Sequence, residues 1–235
     1  MSWAQSFWDS FYQNIIYADR WKQLLSGLGV TLELTLGAIA IGTVLGVLLA
    51  FMKMTKGKLF GFLPGGILRI PAKVYIEIIR GTPTTVQLLI MYFVVFASSD
   101  EKVLVAMLAF GLNSAAYVAE IVRAGVESVN IGQIEAGRSL GFSKLQTTMR
   151  IVLPQAIKSV LPTYTSEFIV LLKETSIAGY VAINDLTKVA NTIISRTFDA
   201  FFPLITAAVI YFVMTFTLSK IFGRLERRLR QSDIR

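Results

Sequence analysis

Residues 34–52 read LTLGAIAIGTVLGVLLAFM, a run of nineteen positions without one charged side chain. About 17–25 apolar residues in a helix cross the hydrocarbon core of a bilayer, so this run alone is long enough to span it. Further charge-free runs follow at Gly81–Ser99, Val103–Ala119 and Ala200–Ser219, and a fifth, Ser159–Leu172, is broken only by Glu167. Five such runs in 235 residues leave almost no polar surface. The charged fraction is 16%, whereas a soluble domain carries about 25% because its surface faces water. The pattern predicts an all-α integral membrane protein with five transmembrane helices.

The chain contains no cysteine and no histidine. Disulfide frameworks, thiolate metal sites and His-dependent catalytic or haem chemistry are therefore excluded. The net charge of +8 is not a nucleic-acid footprint, because the basic residues sit in the loops between apolar runs. With the first span leaving into the cytoplasm, 17 of the 23 Lys and Arg residues fall on the inner side. They cluster at Lys53–Arg80, Arg123–Lys158 and Lys220–Arg235. The positive-inside rule then places the N-terminus outside and the C-terminus inside.

Residues 1–22 lack the basic start and continuous apolar core of a cleavable signal. Trp3, Phe7, Trp8, Phe11, Tyr12, Ile15 and Ile16 recur at helical spacing opposite Ser6, Asp9, Ser10, Gln13 and Asn14. This predicts an amphipathic helix in the outer interface, its aromatic face against lipid or packed on a neighbouring span. Residues 23–223 form the transmembrane domain and residues 224–235 a basic cytoplasmic tail. In the first span, Ala38, Gly42, Gly46 and Ala50 make a small-residue stripe that admits another helix closely. A basic loop with Lys56, Gly57 and Gly61 follows. Next comes a helix from about Ala72, with Lys73–Glu77 and Glu77–Arg80 spaced as ion pairs.

That helix breaks at Gly81-Thr82-Pro83, since proline lacks a donor and disfavours helix at the preceding residue. A break at membrane depth is tolerated only where it is buried in protein or lines a cavity; a plain proline kink is the other reading. A new helix is expected from Thr84. In the third span Asn113, Tyr117 and Glu120 share one face, and the fourth holds Pro162 and Glu167. Polar groups at such depth face a partner or a water-filled cavity. Structural hydrogen bonding and ligand contact both remain open for them. The fifth span, aromatic and aliphatic, reads as scaffold.

Between the third and fourth spans, residues 130–155 are polar. Glu135–Leu140 favours helix and stops at Gly141, a natural residue just past a helix end. A second polar helix through Arg150 precedes Ile151-Val152-Leu153-Pro154. Such a helical pair projecting from a membrane bundle suits docking to a soluble partner.

This segment resembles the coupling loop of binding-protein-dependent ABC importer permeases. Their pattern is Glu-Ala-Ala, three residues, Gly, nine residues, Ile-x-Leu-Pro. Glu135-Ala136-Gly137, Gly141 and Ile151-x-Leu153-Pro154 match it at full spacing, with Gly137 for the third position's Ala. Ile79–Pro83, Ala116–Arg123, Glu167-Phe168 and Leu172–Ser176 are similar to segments of the polar amino acid branch, the histidine, glutamine and arginine permeases.

The resemblance implies the type I permease fold in a bacterial plasma (inner) membrane, spanning it several times. It also implies two ABC ATPase subunits that bind ATP and Mg, a second permease subunit (copy or paralogue) and an extracellular amino-acid-binding protein. This chain has no phosphate-binding Gly-x-x-x-x-Gly-Lys-Ser/Thr loop, so hydrolysis falls to the partner and no cofactor is expected here; nucleic acid is not a partner. Coupling would run through Glu135, Ala136, Gly137, Gly141 and Pro154. Substrate contacts would come from Thr82, Thr84, Gln87, Asn113, Tyr117 and Glu167, with Glu167 equally readable as structural.

Overall fold

The computed structural model describes residues 3–54, 58–59 and 63–231. Lys56, Gly57 and Gly61 of the basic loop and the last four residues of the basic tail lie outside the described residues.

Helix α1 (Trp3–Phe11) passes through a π-turn at Tyr12–Ile16 and a 3-10 turn at Tyr17–Asp19 into α2 (Arg20–Met54). Ala18 and Asp19 sit in the left-handed region, at φ 54° and 55°, so the helical path kinks there. Phe7 and Phe11 stack edge-on against Phe202 and Ile15 is buried, while Trp8, Tyr12 and Tyr17 stay exposed.

A two-stranded antiparallel turn, β1 (Lys58–Leu59) with β2 (Leu63–Pro64), leads to α3 (Gly65–Gly81). Helix α4 (Thr84–Ile90) continues as a π-turn over Met91–Val95. The long α5 (Lys102–Glu127) is followed by the polar pair α6 (Ile131–Ser139) and α7 (Lys144–Thr147). A π-turn at Thr148–Val152 joins α7 to α8 (Leu153–Glu174). The chain closes with a 3-10 segment at Thr175–Val181, α9 (Leu186–Thr197) and α10 (Phe201–Gln231).

The α2–α5 pair is the spine of the fold, and the small-residue stripe is what brings the two helices together. Ala38, Gly42, Gly46 and Ala50 are all buried. A methyl group at Gly46 would meet Val118 Cβ at 2.6 Å and the Ala115 carbonyl at 2.8 Å. Around this seam Leu34, Leu88, Phe110 and Leu171 form the main core. A second core at the other end gathers Leu24, Leu186, Ile193 and Phe202. There the start of α9 presses onto α2, where Thr31 Oγ1 accepts from the Leu186 N–H at 3.2 Å.

Among the described residues, three helices are long and apolar enough to cross a membrane, lying within Gln5–Met54, Lys102–Glu127 and Phe201–Arg228. A fourth crossing is available if Ile67–Gly81 and Thr84–Val95, bent by 109°, act as one. Two further details differ from the expectations. The second polar helix of the 130–155 segment does not end at Arg150 but runs through its π-turn into α8. Likewise α10 carries helix on to Gln231, so the basic run from Arg224 is the end of that helix.

Candidate functional site

At the break between α3 and α4 the Thr82 hydroxyl donates to the Ile78 carbonyl at 2.9 Å, and Gln87 makes the remaining side-chain bonds. Gln87 donates through Nε2 to the Ile79 carbonyl at 2.7 Å, the Thr82 hydroxyl at 2.7 Å and the Thr82 carbonyl at 3.1 Å. The last carbonyls of a helix have no partner within it. Gln87 reaches back across the bend and supplies one. Its Oε1 accepts from Nδ2 of Asn113 at 3.0 Å, and Asn113 is 1% exposed. Thr82, Gln87 and Asn113 are therefore one network tying the bend to α5. Both ends of the Gln87 amide are engaged in it. Thr84, half-buried, begins the new helix beside it.

One turn beyond Asn113, the ring of Tyr117 lies 5.5 Å from the Arg80 guanidinium. Another turn on, Glu120 accepts from Lys53 and from Arg123 at 2.9 Å, with Arg80 at 3.9 Å; Arg123 also pairs with Glu127. Cations from three helices, α2, α3 and α5, thus meet on Glu120. Arg80 turns to this group and makes no ion pair with Glu77, which pairs with Lys73 at 3.6 Å.

Glu167 stands apart from the Gln87 network. Its Oε1 accepts from Ser114 Oγ on α5 at 3.0 Å, and its second oxygen has no hydrogen-bond partner among the described residues. One turn away, Tyr164 and Thr43 share a 2.5 Å hydrogen bond between α8 and α2.

The projecting pair α6–α7 is built by capping. Asn130 Oδ1 accepts from the Gly132 N–H at 2.8 Å to start α6. The helix ends in a Schellman motif: Phe142 N–H donates to the Gly137 carbonyl and Gly141 N–H to the Arg138 carbonyl, both at 3.1 Å, with Gly141 at φ 86°. This is the geometry that favours glycine at that position. Ser143 and Gln146 then form a reciprocal capping box that starts α7. Gly137 is buried beneath Ile151, where an added methyl would meet the flexible Ile151 Cδ1 at 2.5 Å. Pro154 follows directly on the π-turn, so the donor it lacks falls where the ordinary helical ladder is already interrupted. Glu135 and Ala136 face solvent. Four apolar side chains of this projection do too: Ile131, Leu140, Leu145 and Met149.

Two polar clusters were not read from the sequence. Asn14, 1% exposed, donates to Asp199 Oδ2 at 2.7 Å, joining the N-terminal segment to the α9–α10 turn. Asp185, fully buried, caps α9 by accepting from the Thr187 and Lys188 N–H groups at 2.9 and 3.2 Å. Burial pushes its carboxyl above the usual range, against the pull of those two donors. An Asp before a helical run is a capping signal, and it was available at Asp185-Leu186.

An all-helical bundle with several crossings, a bent helix pair tied to its central helix and a capped polar projection defines a multi-pass membrane permease. The chain belongs to the family described as the binding-protein-dependent transport system inner membrane component, which it matches over residues 42–231. It is a permease subunit of an ABC importer, and the ATPase activity of such importers resides in a separate subunit.

It is 38% identical over 209 residues to a putative glutamine transport system permease protein of Rickettsia bellii, covering 88% of this chain and 92% of that one. To the octopine transport system permease protein of Rhizobium radiobacter it is 36% identical, with coverage of 86% and 84%. Among solved structures, an amino acid ABC transporter crystallised with histidines aligns with a TM-score of 0.80 and 42% identity, covering 88% of this chain and 94% of that one. The methionine transporter MetNI in an inward-facing conformation shares the fold, with a TM-score of 0.74 at 19% identity.

Proposed function

We propose that this subunit imports polar amino acids, forming the translocation path with a second permease subunit, a copy or a paralogue. Its N-terminus lies outside, and the chain crosses five times, with α3–α4 as the bent second crossing and α8 as the fourth. An extracellular binding protein delivers the amino acid. Two ATPase subunits, which hold ATP and Mg, dock on α6 and α7. The observation that carries this reading is the capped α6–α7 projection, which presents Ile131 and Leu140 to solvent on a polar segment. Exposed apolar side chains rimmed by polar ones are the ordinary signature of a protein interface. The amino acid class is supported by the names of the relatives and by the histidine-containing structure.

Within the path, Thr84, Tyr117 and Glu167 are the candidate substrate contacts. Thr82, Gln87 and Asn113 hold the bend beside Thr84 and Tyr117. The free oxygen of Glu167 suits an ammonium group, which every amino acid carries. A two-part experiment tests both assignments on the reconstituted importer. Glu135→Lys is expected to leave assembly intact and abolish ATP-driven uptake; normal uptake removes the coupling assignment. Glu167→Gln is expected to raise the uptake KM at least tenfold, whereas an unchanged KM makes Glu167 structural.

A further inference from the structure

Two cavities adjoin at the end of the bundle where α2 and α5 finish, and they differ sharply in character. One, of about 470 Å³, is lined by Lys53, Met54, Arg69, Arg123, Val126 and Glu127. The other, of about 510 Å³, shares Met54 and Val126 as walls and runs along α2, α5 and α8 past Val47, Phe51, Val122 and Ile157 as far as Tyr164. Its hydroxyls are already used. Thr43 and Tyr164 bond each other, and Thr148 donates to the Lys144 carbonyl at 2.9 Å. What the second cavity offers is therefore hydrocarbon.

The charge of the first cavity is unbalanced. Lys53 and Arg123 are paired with Glu120, and Arg123 also with Glu127. Arg69 is exposed and makes no ion pair among the described residues. With Arg80, which also reaches Glu120 at 3.9 Å, four cations share two carboxylates, and this end of the bundle carries an excess of positive charge.

Length identifies the occupant. From Thr43 to Met54 the α2 wall advances about 16 Å at 1.5 Å per residue. One leaflet of a 30 Å hydrocarbon core is about 15 Å deep. We propose that the pair of cavities is a binding site for one anionic phospholipid, its phosphate on Arg69 with Lys53 and Arg123, and one acyl chain along the α2–α5–α8 groove. An anionic headgroup offsets that positive excess, and basic pockets between spanning helices take such headgroups. The leaflet, the cytoplasmic one, rests on the topology proposed above; the site itself does not.

The test uses the full permease–ATPase complex extracted in mild detergent, incubated with phosphatidylglycerol or phosphatidylcholine, and read by native mass spectrometry. Retention of phosphatidylglycerol is expected to exceed that of phosphatidylcholine about fivefold, the scale of one basic contact at a membrane surface. Arg69→Gln should remove that preference, and Val47→Trp, which fills the groove, should reduce retention of both lipids. Equal retention of the two lipids, or a preference untouched by Arg69→Gln, overturns the proposal. So does displacement of phosphatidylglycerol by millimolar inorganic phosphate with no effect of Val47→Trp, which marks a free-phosphate site. The chain has no cysteine, so Val47→Cys gives a clean crosslinking probe. Efficient disulfide formation between two copies places a second permease in the groove and also overturns the proposal. Uptake by the wild-type complex is measured separately, so failure of the transport reading and failure of the lipid site are distinguishable.

Discussion

Gly29 and Gly46 lie on the same helix, and replacing each by alanine separates helix propensity from helix contact. Alanine is favoured over glycine in a helix interior by about 1 kcal/mol, a gain common to both variants. At Gly29 nothing lies within 4 Å of the added methyl. At Gly46 the methyl meets Val118 Cβ at 2.6 Å, Val118 Cγ1 at 2.7 Å and the Ala115 carbonyl at 2.8 Å. Carbon atoms rest at about 3.5–4.0 Å, so α2 and α5 must part by roughly an ångström there. Val118 cannot swing clear, because a β-branched side chain is stiff at its first torsion and the carbonyl is backbone. Overpacking of this kind costs about 1–3 kcal/mol. Thermal unfolding of both variants in one detergent, followed by size-exclusion chromatography, should place Gly29→Ala at or above wild type and Gly46→Ala below it. A Gly46→Ala midpoint equal to that of Gly29→Ala would refute the close α2–α5 seam as the spine of the fold.

Other outcomes follow from single contacts. Gln87→Leu leaves the Asn113 amide buried without its acceptor and should destabilise by about 1–3 kcal/mol. Adding Asn113→Leu should recover part of that loss in a double-mutant cycle read by thermal unfolding. Gly141→Ala has open space for its methyl but a backbone at φ 86°, costing about 1–2 kcal/mol. Hydrogen exchange should show faster exchange at Gly141 and Phe142, with the spans unchanged. Asp185→Ala removes the α9 cap and should cost about 0.5–2 kcal/mol, while Asp185→Asn, which keeps an acceptor, should cost less in the same unfolding assay.

Local signals in the sequence reached far into this fold. The small-residue stripe on α2 was visible as a four-residue period, and it is the seam against α5. The helix stop at Gly141 and the break at Thr82-Pro83 were readable because glycine and proline restrict the backbone by themselves. Angles and distant partners were not readable. Gly81–Ser99 has the composition of a span, yet the helix from Thr84 through Val95 is about 18 Å long and is bent 109° from α3. A charge-free run carries no information about that angle. Glu77–Arg80 had the spacing of an ion pair, but Arg80 goes to Tyr117 and Glu120 on another helix. Asn14 and Asp199 meet across 185 positions, a distance no local pattern encodes. At the candidate site, Thr82, Gln87 and Asn113 were singled out by depth and polarity alone. That Gln87 braces the bend follows only from the geometry.

In the proposed function, ATP hydrolysed by a partner subunit drives an amino acid through this chain. Proteoliposomes containing the purified complex, the binding protein and a panel of radiolabelled amino acids, with ATP supplied on the ATPase side, measure it directly. The expected result is uptake of one or a few polar amino acids that requires ATP and the binding protein and persists when ion gradients are collapsed. Uptake that ignores ATP and follows an imposed ion gradient would contradict the account.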